Sequence, residues 1–369
     1  MKILMIVTGL NVKTGTYEVI RNVVHQLIKK HEITILTNDV SVDDIPYTNI
    51  IKLQVIPLPF LQYRFMPKLI KMIQNHELDN YDVIHIFEYP LFVTDYITLM
   101  GNKIKPPVII SLHGTLNQYG SFPLNLIKNI HNNFMVKFQN RIELFLVSSL
   151  TEKRQVTKFK IPEEKIQILE PAMRLFSVDK IVSNRQNLLY VGRLSITKNV
   201  DLLISAFAKI KTNNVDLIIA GQDFGTLTQL KSLVKKLNIE NRVFFKGWVS
   251  EEEKIELLSR ATIFVHPSLE DVFLLSLLEA AAIGIPCVTF DVGSNSEILE
   301  DMVTGIIVKK KNPEGLAEKL DLLLSDSKLY EKISTNSKTE LPKKFNWEKT
   351  GKNLEEYYVK VLDHKKSQN

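Results

Sequence analysis

The run SLEDVFLLSLLEAAAIGIP at residues 268–286 sets three carboxylates, Glu270, Asp271 and Glu279, in a segment otherwise built mainly of Leu and Ala. A helix this apolar belongs in an interior, where carboxylates are almost never found unpaired because stripping water from a charge is costly. The acids therefore lie at a wet helix end or face something polar. A helix beginning near Phe273 or Leu274 turns its free amides and positive dipole end toward SLED, which suits an anion such as phosphate. Carboxylates there would repel the anion itself. Their chemistry is to accept hydrogen bonds from hydroxyls, as a ribose or a sugar supplies. Complementing the helix dipole would account for Glu270 and Asp271, but it leaves mid-helix Glu279 unexplained.

Three further stretches carry candidate chemistry. In VGRLSITKNVDLLISAF, Arg193 leaves a strand end and Lys198 stands just before a helix. A forked donor and a point charge together suit a diphosphate, although two cations in an exposed loop are also ordinary. In SLHGT, Gly114 permits a turn toward a ligand and His113 ends a strand, where it serves either as a site residue or as structure. His85 and His266 also end strands and read as scaffold or lining. In GLNVKTGTYEVIRNV, Gly15 and Thr16 bring amides to a helix start, a phosphate position. That loop lacks the G-x-G-x-x-G fingerprint and the Walker A lysine, so no dinucleotide cofactor is expected.

The elements that must position these residues are strands and helices in alternation. KILMIVT, EITILT, DVIHIF, PVIISL and LFLVSS form one series. A second series runs from NLLYVGR through VDLIIAG, VFFKGWV and TIFVHPS to PCVTFDVG. Continuous apolar strands separated by amphipathic helices predict parallel sheets covered on both faces. The segment EPAMRLFSVDKIVSNRQ separates the series, which predicts two doubly wound, Rossmann-like α/β domains: residues 1–172, and 173–344. The final segment, about 345–369, is an amphipathic helix with Trp347, Leu354, Tyr357, Tyr358 and Leu362 available to pack. Parallel sheets bind ligands beyond the carboxyl ends of their strands. The unusual residues collect there in both series, which predicts one ligand held in a cleft between the domains.

Composition narrows the class. A chain of 369 residues, 45% apolar and 24% charged, fits a soluble globular protein of two domains. Its single cysteine, Cys287, excludes an internal disulfide framework and reads as a buried thiol in a reducing compartment. MKILMIVTGL is read as a first buried strand and not as a leader, and no window reaches a membrane span, so a cytoplasmic protein is expected. The net charge of +6 is unevenly placed: no acid lies between Asp95 and Glu143, whereas Lys103, Lys105, Lys128, Lys137 and Arg141 do. Arg64, Lys68 and Lys71 stand in a second acid-free stretch rich in aromatic and aliphatic residues. Such a face is either the solvated rim of a core helix or a surface for peripheral contact with the inner face of an anionic membrane. No nucleic-acid-binding motif is present.

With these residues in view, VGRLSITK at 191–198, PSLEDVFLLSLLEAAAIGIPCV at 267–288 and DVGSNSEILEDMVTGIIV at 291–308 resemble the donor-binding half of glycosyltransferase family 4. Its members are retaining enzymes of the GT-B fold. The resemblance extends more loosely to the Gly15 loop, to HGT, to VSSLTEKRQVTKFKIPEEKIQIL and to the closing FNWEKTGKNLEEYY. It implies an acceptor-side N-terminal domain and a C-terminal domain for a nucleotide diphosphate sugar, with the last helix crossing back to the N-terminal domain. It implies that Arg193 and Lys198 hold the diphosphate, that Glu279 bonds the ribose and that Asp271 contacts the transferred sugar. Phe273 fixes this register. Amides near Leu274 and Leu275 would meet the phosphates, Gly247 to Val249 would hold the base, and His113 would sit beside the donor sugar. No metal or other cofactor is implied, and the acceptor would be a glycan or a lipid-linked hydroxyl.

Several residues depart from the family pattern. Asp271 replaces a glutamate, Leu274 and Ser294 replace glycines, and Thr14 interrupts a glycine pair. EPAMRL stands for PNGVD. These departures fit a divergent acceptor specificity. They also keep open a nucleotide-sugar-binding protein of weak or absent turnover, and an epimerase or phosphorylase of the same fold remains a further alternative.

Overall fold

Ile, Leu, Met and Val run unbroken through the first strand, Lys2–Val7 (β1), and every residue after Lys2 is buried. A strand buried on both faces needs cover on both sides, and parallel neighbours supply it. The computed structural model describes residues 1–7, 15–38, 45–57, 64–87, 92–114, 131, 141–173 and 185–368. The loop from Gly9 to Thr14, Thr115, Lys128, Lys137 and most of the segment joining the two series lie outside the described residues. Residues Met1–Ala172 with Trp347–Asn369 form one compact unit, and Met173–Asn346 form another.

In the N-terminal unit β1 is followed by Glu32–Thr37 (β2), Asn49–Lys52 (β3), the short antiparallel pair Ile56–Pro57 (β4) and Arg64–Phe65 (β5), then Val83–Phe87 (β6), Val108–Ser111 (β7), Leu144–Val147 (β8) and Ile166–Ile168 (β9). Seven of these form one parallel sheet in the order β3-β2-β1-β6-β7-β8-β9. The helix Pro67–Gln74 buries Leu69, Met72 and Ile73 while Lys68 and Lys71 stay exposed. Its apolar face is thus spent on the core, and the cations form a rim. Among the described residues no helix is long and apolar enough to cross a membrane.

The closing helix, Trp347–Gln368, belongs to this unit although its sequence follows the other one. Gly351 lets it approach the first helix, Gly15–Leu27: a Cβ there would stand 2.5 Å from the Gln26 Cβ. Glu355 accepts from Lys30 at 2.9 Å and pairs with His31 at 3.1 Å. Tyr357 donates to the Ile168 carbonyl at 2.9 Å, and Leu354 and Tyr358 are fully buried.

The C-terminal unit is a six-stranded parallel sheet: Gln186–Val191 (β10), Val215–Ala220 (β11), Val243–Gly247 (β12), Ile263–His266 (β13), Cys287–Phe290 (β14) and Ile306–Val308 (β15), in the order β12-β11-β10-β13-β14-β15. Its own core includes Leu188, Leu203, Phe207, Leu217, Val265 and Leu320. Cys287 is buried within β14. Chain order reverses between β10 and β13, so the sheet's natural ligand crevice lies beyond the ends of those two strands.

Candidate active site

Both strands at that reversal end in candidate residues. Beyond β10 come Gly192, Arg193 and a single helical turn, Ile196–Lys198, which closes at Asn199 in the left-handed region, φ +56. Beyond β13 come Pro267 to Asp271. Backbone and side chains stitch the two loops together: Leu269 N donates to Thr197 O at 2.9 Å, the Ser268 hydroxyl to Thr197 O at 3.1 Å, and Asn199 Nδ2 to Pro267 O at 3.2 Å. This brings Lys198 Nζ onto Asp271 Oδ1, with both side chains nearly shut off from solvent. The other carboxylate oxygen, Oδ2, meets His266 Nε2 at 3.1 Å.

Asp271 is therefore held at both oxygens. Burial alone would raise its pKa, but His266 and Lys198 outweigh that and hold the carboxyl well below the usual range. Beneath them, Tyr190 stacks on His266 with centroids 5.3 Å apart and donates its hydroxyl to the Arg193 carbonyl at 2.9 Å. Burial lowers the pKa of His266 despite its aspartate neighbour. The Arg193 side chain is exposed, and its guanidinium lies 5.5 Å above the Phe224 ring. The structure thus joins Lys198 to Asp271 and seats Arg193 on an aromatic that the sequence reading had not singled out.

The acid-bearing helix runs Leu275–Ala282, one or two residues later than expected. Two contacts explain the delay. Ser294 N donates to Val272 O at 3.2 Å, and Gly293, at φ +54, lies so close that a Cβ would stand 2.1 Å from Asp271 O. These hold residues 271–272 in a loop. Leu274 is the N-cap and offers no side-chain bond, so no side chain of the cap residue occupies the amide end of the helix. Ser294 makes this contact through its main chain, while its hydroxyl is buried without a hydrogen-bond partner among the described residues.

Glu279 is 9% exposed, and the partner required of a shielded carboxylate is Lys254, whose Nζ lies 3.0 Å from Oε2. Lys254 also pairs with Glu251 at 3.0 Å, and its helix, Glu251–Arg260, is started by a capping box of Ser250 and Glu253. Burial would depress the Lys254 pKa, but the two glutamates raise it, so it stays charged. Sequence reasoning missed Lys254. The S-x-x-E cap was visible, but a pairing 25 residues away was not. At the end of β12, Gly247 takes φ +70 and accepts from Gly221 N at 2.6 Å. Val249 is half-buried and Trp248 between them is 68% exposed.

Gly15 and His113 belong to the N-terminal unit. Gly15 opens the first helix and is exposed. His113 takes φ +45 beyond β7, and burial draws its pKa down to about 4, which keeps the ring neutral at pH 7. The next residue, Gly114 at φ +77, donates its amide to Glu152 Oε1, while Glu152 Oε2 accepts from Ser148 N at 2.7 Å. Glu152 is 3% exposed, so a buried carboxylate pins the turn that carries His113. No local pattern signals this pairing, 38 residues apart. Among the described residues no group of three or more His, Cys, Asp or Glu side chains stands close enough to hold a metal ion.

Two family models divide the chain: Glycosyltransferase Family 4 matches residues 14–174 and Glycosyl transferases group 1 matches residues 174–340. The chain is 27% identical over 309 residues to the N-acetyl-alpha-D-glucosaminyl L-malate synthase of Bacillus anthracis, covering 79% of this chain and 78% of that one. It is 26% identical over 300 residues to the Campylobacter jejuni N-acetylgalactosamine-N,N'-diacetylbacillosaminyl-diphospho-undecaprenol 4-alpha-N-acetylgalactosaminyltransferase, covering 78% and 77%. Among solved structures, Anabaena HepE in complex with UDP and glucose superposes with a TM-score of 0.79 at 19% identity, over 98% of this chain and 100% of that one. Matched in its two halves by these models, the chain is a family 4-like glycosyltransferase of GT-B fold.

Proposed function

We propose that this glycosyltransferase moves a sugar from a nucleotide diphosphate sugar to a hydroxyl of a glycan or lipid-linked acceptor, with retained anomeric configuration and without a metal. The observation that carries the reading is the convergence of Lys198, Asp271 and the amide end at Leu274 and Leu275 on the strand reversal between β10 and β13. A diphosphate placed there takes Lys198, Arg193 and the helix amides as its counter-charges, which stabilises the charge that grows on the leaving group. Asp271 accepts from hydroxyls of the transferred sugar and Glu279 from those of the ribose. Gly247 to Val249 hold the base. Gly15 adds an amide near the phosphates, and neutral His113 stands beside the sugar.

In the proposed step the acceptor oxygen bonds to the anomeric carbon on the face from which the diphosphate departs. The carbon–oxygen bond to the diphosphate breaks with its electron pair on the phosphate, and the acceptor proton passes to a phosphate oxygen. The Anabaena complex and the undecaprenol-linked substrate named for the Campylobacter relative support the donor and acceptor classes. Incubation with nucleotide sugars and hydroxyl acceptors, followed by NMR of the product, tests the reading. A glycoside with the donor's anomeric configuration is expected. Inverted product, or donor bound without transfer to any acceptor, contradicts it.

A further inference from the structure

On the reading that His113 stands beside the donor sugar, what fixes its ring bears on the rate. Its left-handed φ of +45 is a conformation that residues with a Cβ adopt only where their surroundings impose it. Its Nε2 is buried and makes no hydrogen bond among the described residues. Packing therefore has to orient the imidazole. The ring lies parallel to Phe87, with centroids 6.0 Å apart and planes at 12°. Phe87 lies against His85 at 4.0 Å and 30°, and His85 meets Tyr358 edge to face at 5.8 Å.

Hydrogen bonds fasten the far end of this stack. His85 Nδ1 is 2.7 Å from the Tyr358 hydroxyl, and Nε2 is 2.8 Å from the Ser111 hydroxyl. Tyr358 comes from the closing helix, 273 residues further along the chain. His85 and Tyr358 have no exposure and Ser111 only 2%. Burial draws the His85 pKa down to about 3, so the imidazole is neutral: one nitrogen donates, the other accepts, and its two hydroxyl partners decide which. Such a ring cannot reach substrate. It can support a neighbour that does.

We infer that Tyr358 is a positioning residue for His113: from the closing helix it fixes the tautomer and plane of His85, and the His85–Phe87 stack holds the His113 imidazole in place. Glu152 secures the backbone of the same turn through Gly114. The closing helix is then a working part of the site as well as cover for the sheet.

Tyr358→Phe keeps the ring and removes the hydroxyl. Its kcat is expected to fall about fivefold to tenfold, the rate equivalent of one lost hydrogen bond, with donor Kd and KM unchanged. Combined with His113→Ala, the two losses should not multiply, since both act through one imidazole. In imidazole 1H–15N spectra the His113 signals should shift in Tyr358→Phe. If that variant does not fold, Ser111→Ala removes the other hydroxyl from His85 and carries the same expectations. Wild-type kcat in a folded variant, or losses that multiply, would overturn the inference. Full transfer by His113→Ala would instead refute the placement of His113 beside the sugar. The spectra would then decide alone: shifted His113 signals in Tyr358→Phe uphold the support, and unchanged ones refute it.

Discussion

Lys198→Ala is expected to lower kcat/KM at limiting donor by about 10²–10³-fold, the loss typical when one preorganised charge donor is removed from a leaving group. The side chain has two partners in the proposed cycle. Without donor its ammonium is held by Asp271, and both groups are shielded. With donor it turns to the diphosphate, and Asp271 is released to the sugar hydroxyls. The substitution therefore removes a counter-charge from the leaving group and also strands Asp271 with His266 as its remaining partner. Breaking a shielded pair from one side costs about 3 kcal/mol of stability. Rates must accordingly be compared well below the unfolding midpoint of the variant. Full activity at limiting donor would contradict the assignment of Lys198 to the diphosphate.

Gly293→Ala is expected to lower transfer by about 10²-fold, although it replaces no side chain that touches substrate. The added Cβ would meet Asp271 O at 2.1 Å, whereas ordinary contact begins at 3.4 Å, and φ +54 disfavours a side chain in any case. The Cβ position is fixed by the Gly293 backbone and the atom it meets is a main-chain oxygen, so no side-chain rotation relieves the clash and the loop carrying Asp271 has to move by more than an ångström. A displacement of that size at a reacting group costs about two orders of magnitude in rate. Gly225→Ala is the control: its Cβ would meet nothing within 4 Å at a φ of +94, so it bears backbone strain without displacing a neighbour. Transfer should survive there. Equal transfer by Gly293→Ala and wild type would show that the Asp271 loop does not set the reacting geometry.

The parts of this molecule that sequence revealed are those written locally. Unbroken apolar runs such as KILMIV and CVTF name their strands because only a covered parallel sheet can bury both faces. That the loops carrying Lys198 and Asp271 follow strand ends was legible too, whereas their meeting at the reversal depends on the strand order of the folded sheet. The anomaly of Glu279 was also visible, as a mid-helix carboxylate without a neighbour of opposite charge. Its answer, Lys254, was not, because no local period links positions 25 residues apart. The same limit hid Glu152 beneath Gly114 and Tyr358 against His85. The late start of the helix Leu275–Ala282 has a related cause: a tertiary contact from Gly293 and Ser294, and no signal within SLEDVF, holds residues 271–272 out of the helix.

In the proposed site the amide end at Leu275 and the ammonium of Lys198 grip a diphosphate. Calorimetric titration of a nucleoside diphosphate against the matching monophosphate measures that grip directly, before any acceptor is known. The diphosphate is expected to bind at least about tenfold more tightly, a difference of about 1.4 kcal/mol, and Lys198→Ala is expected to remove most of the gap. Equal affinities for the two nucleotides, or a gap untouched by Lys198→Ala, would contradict it.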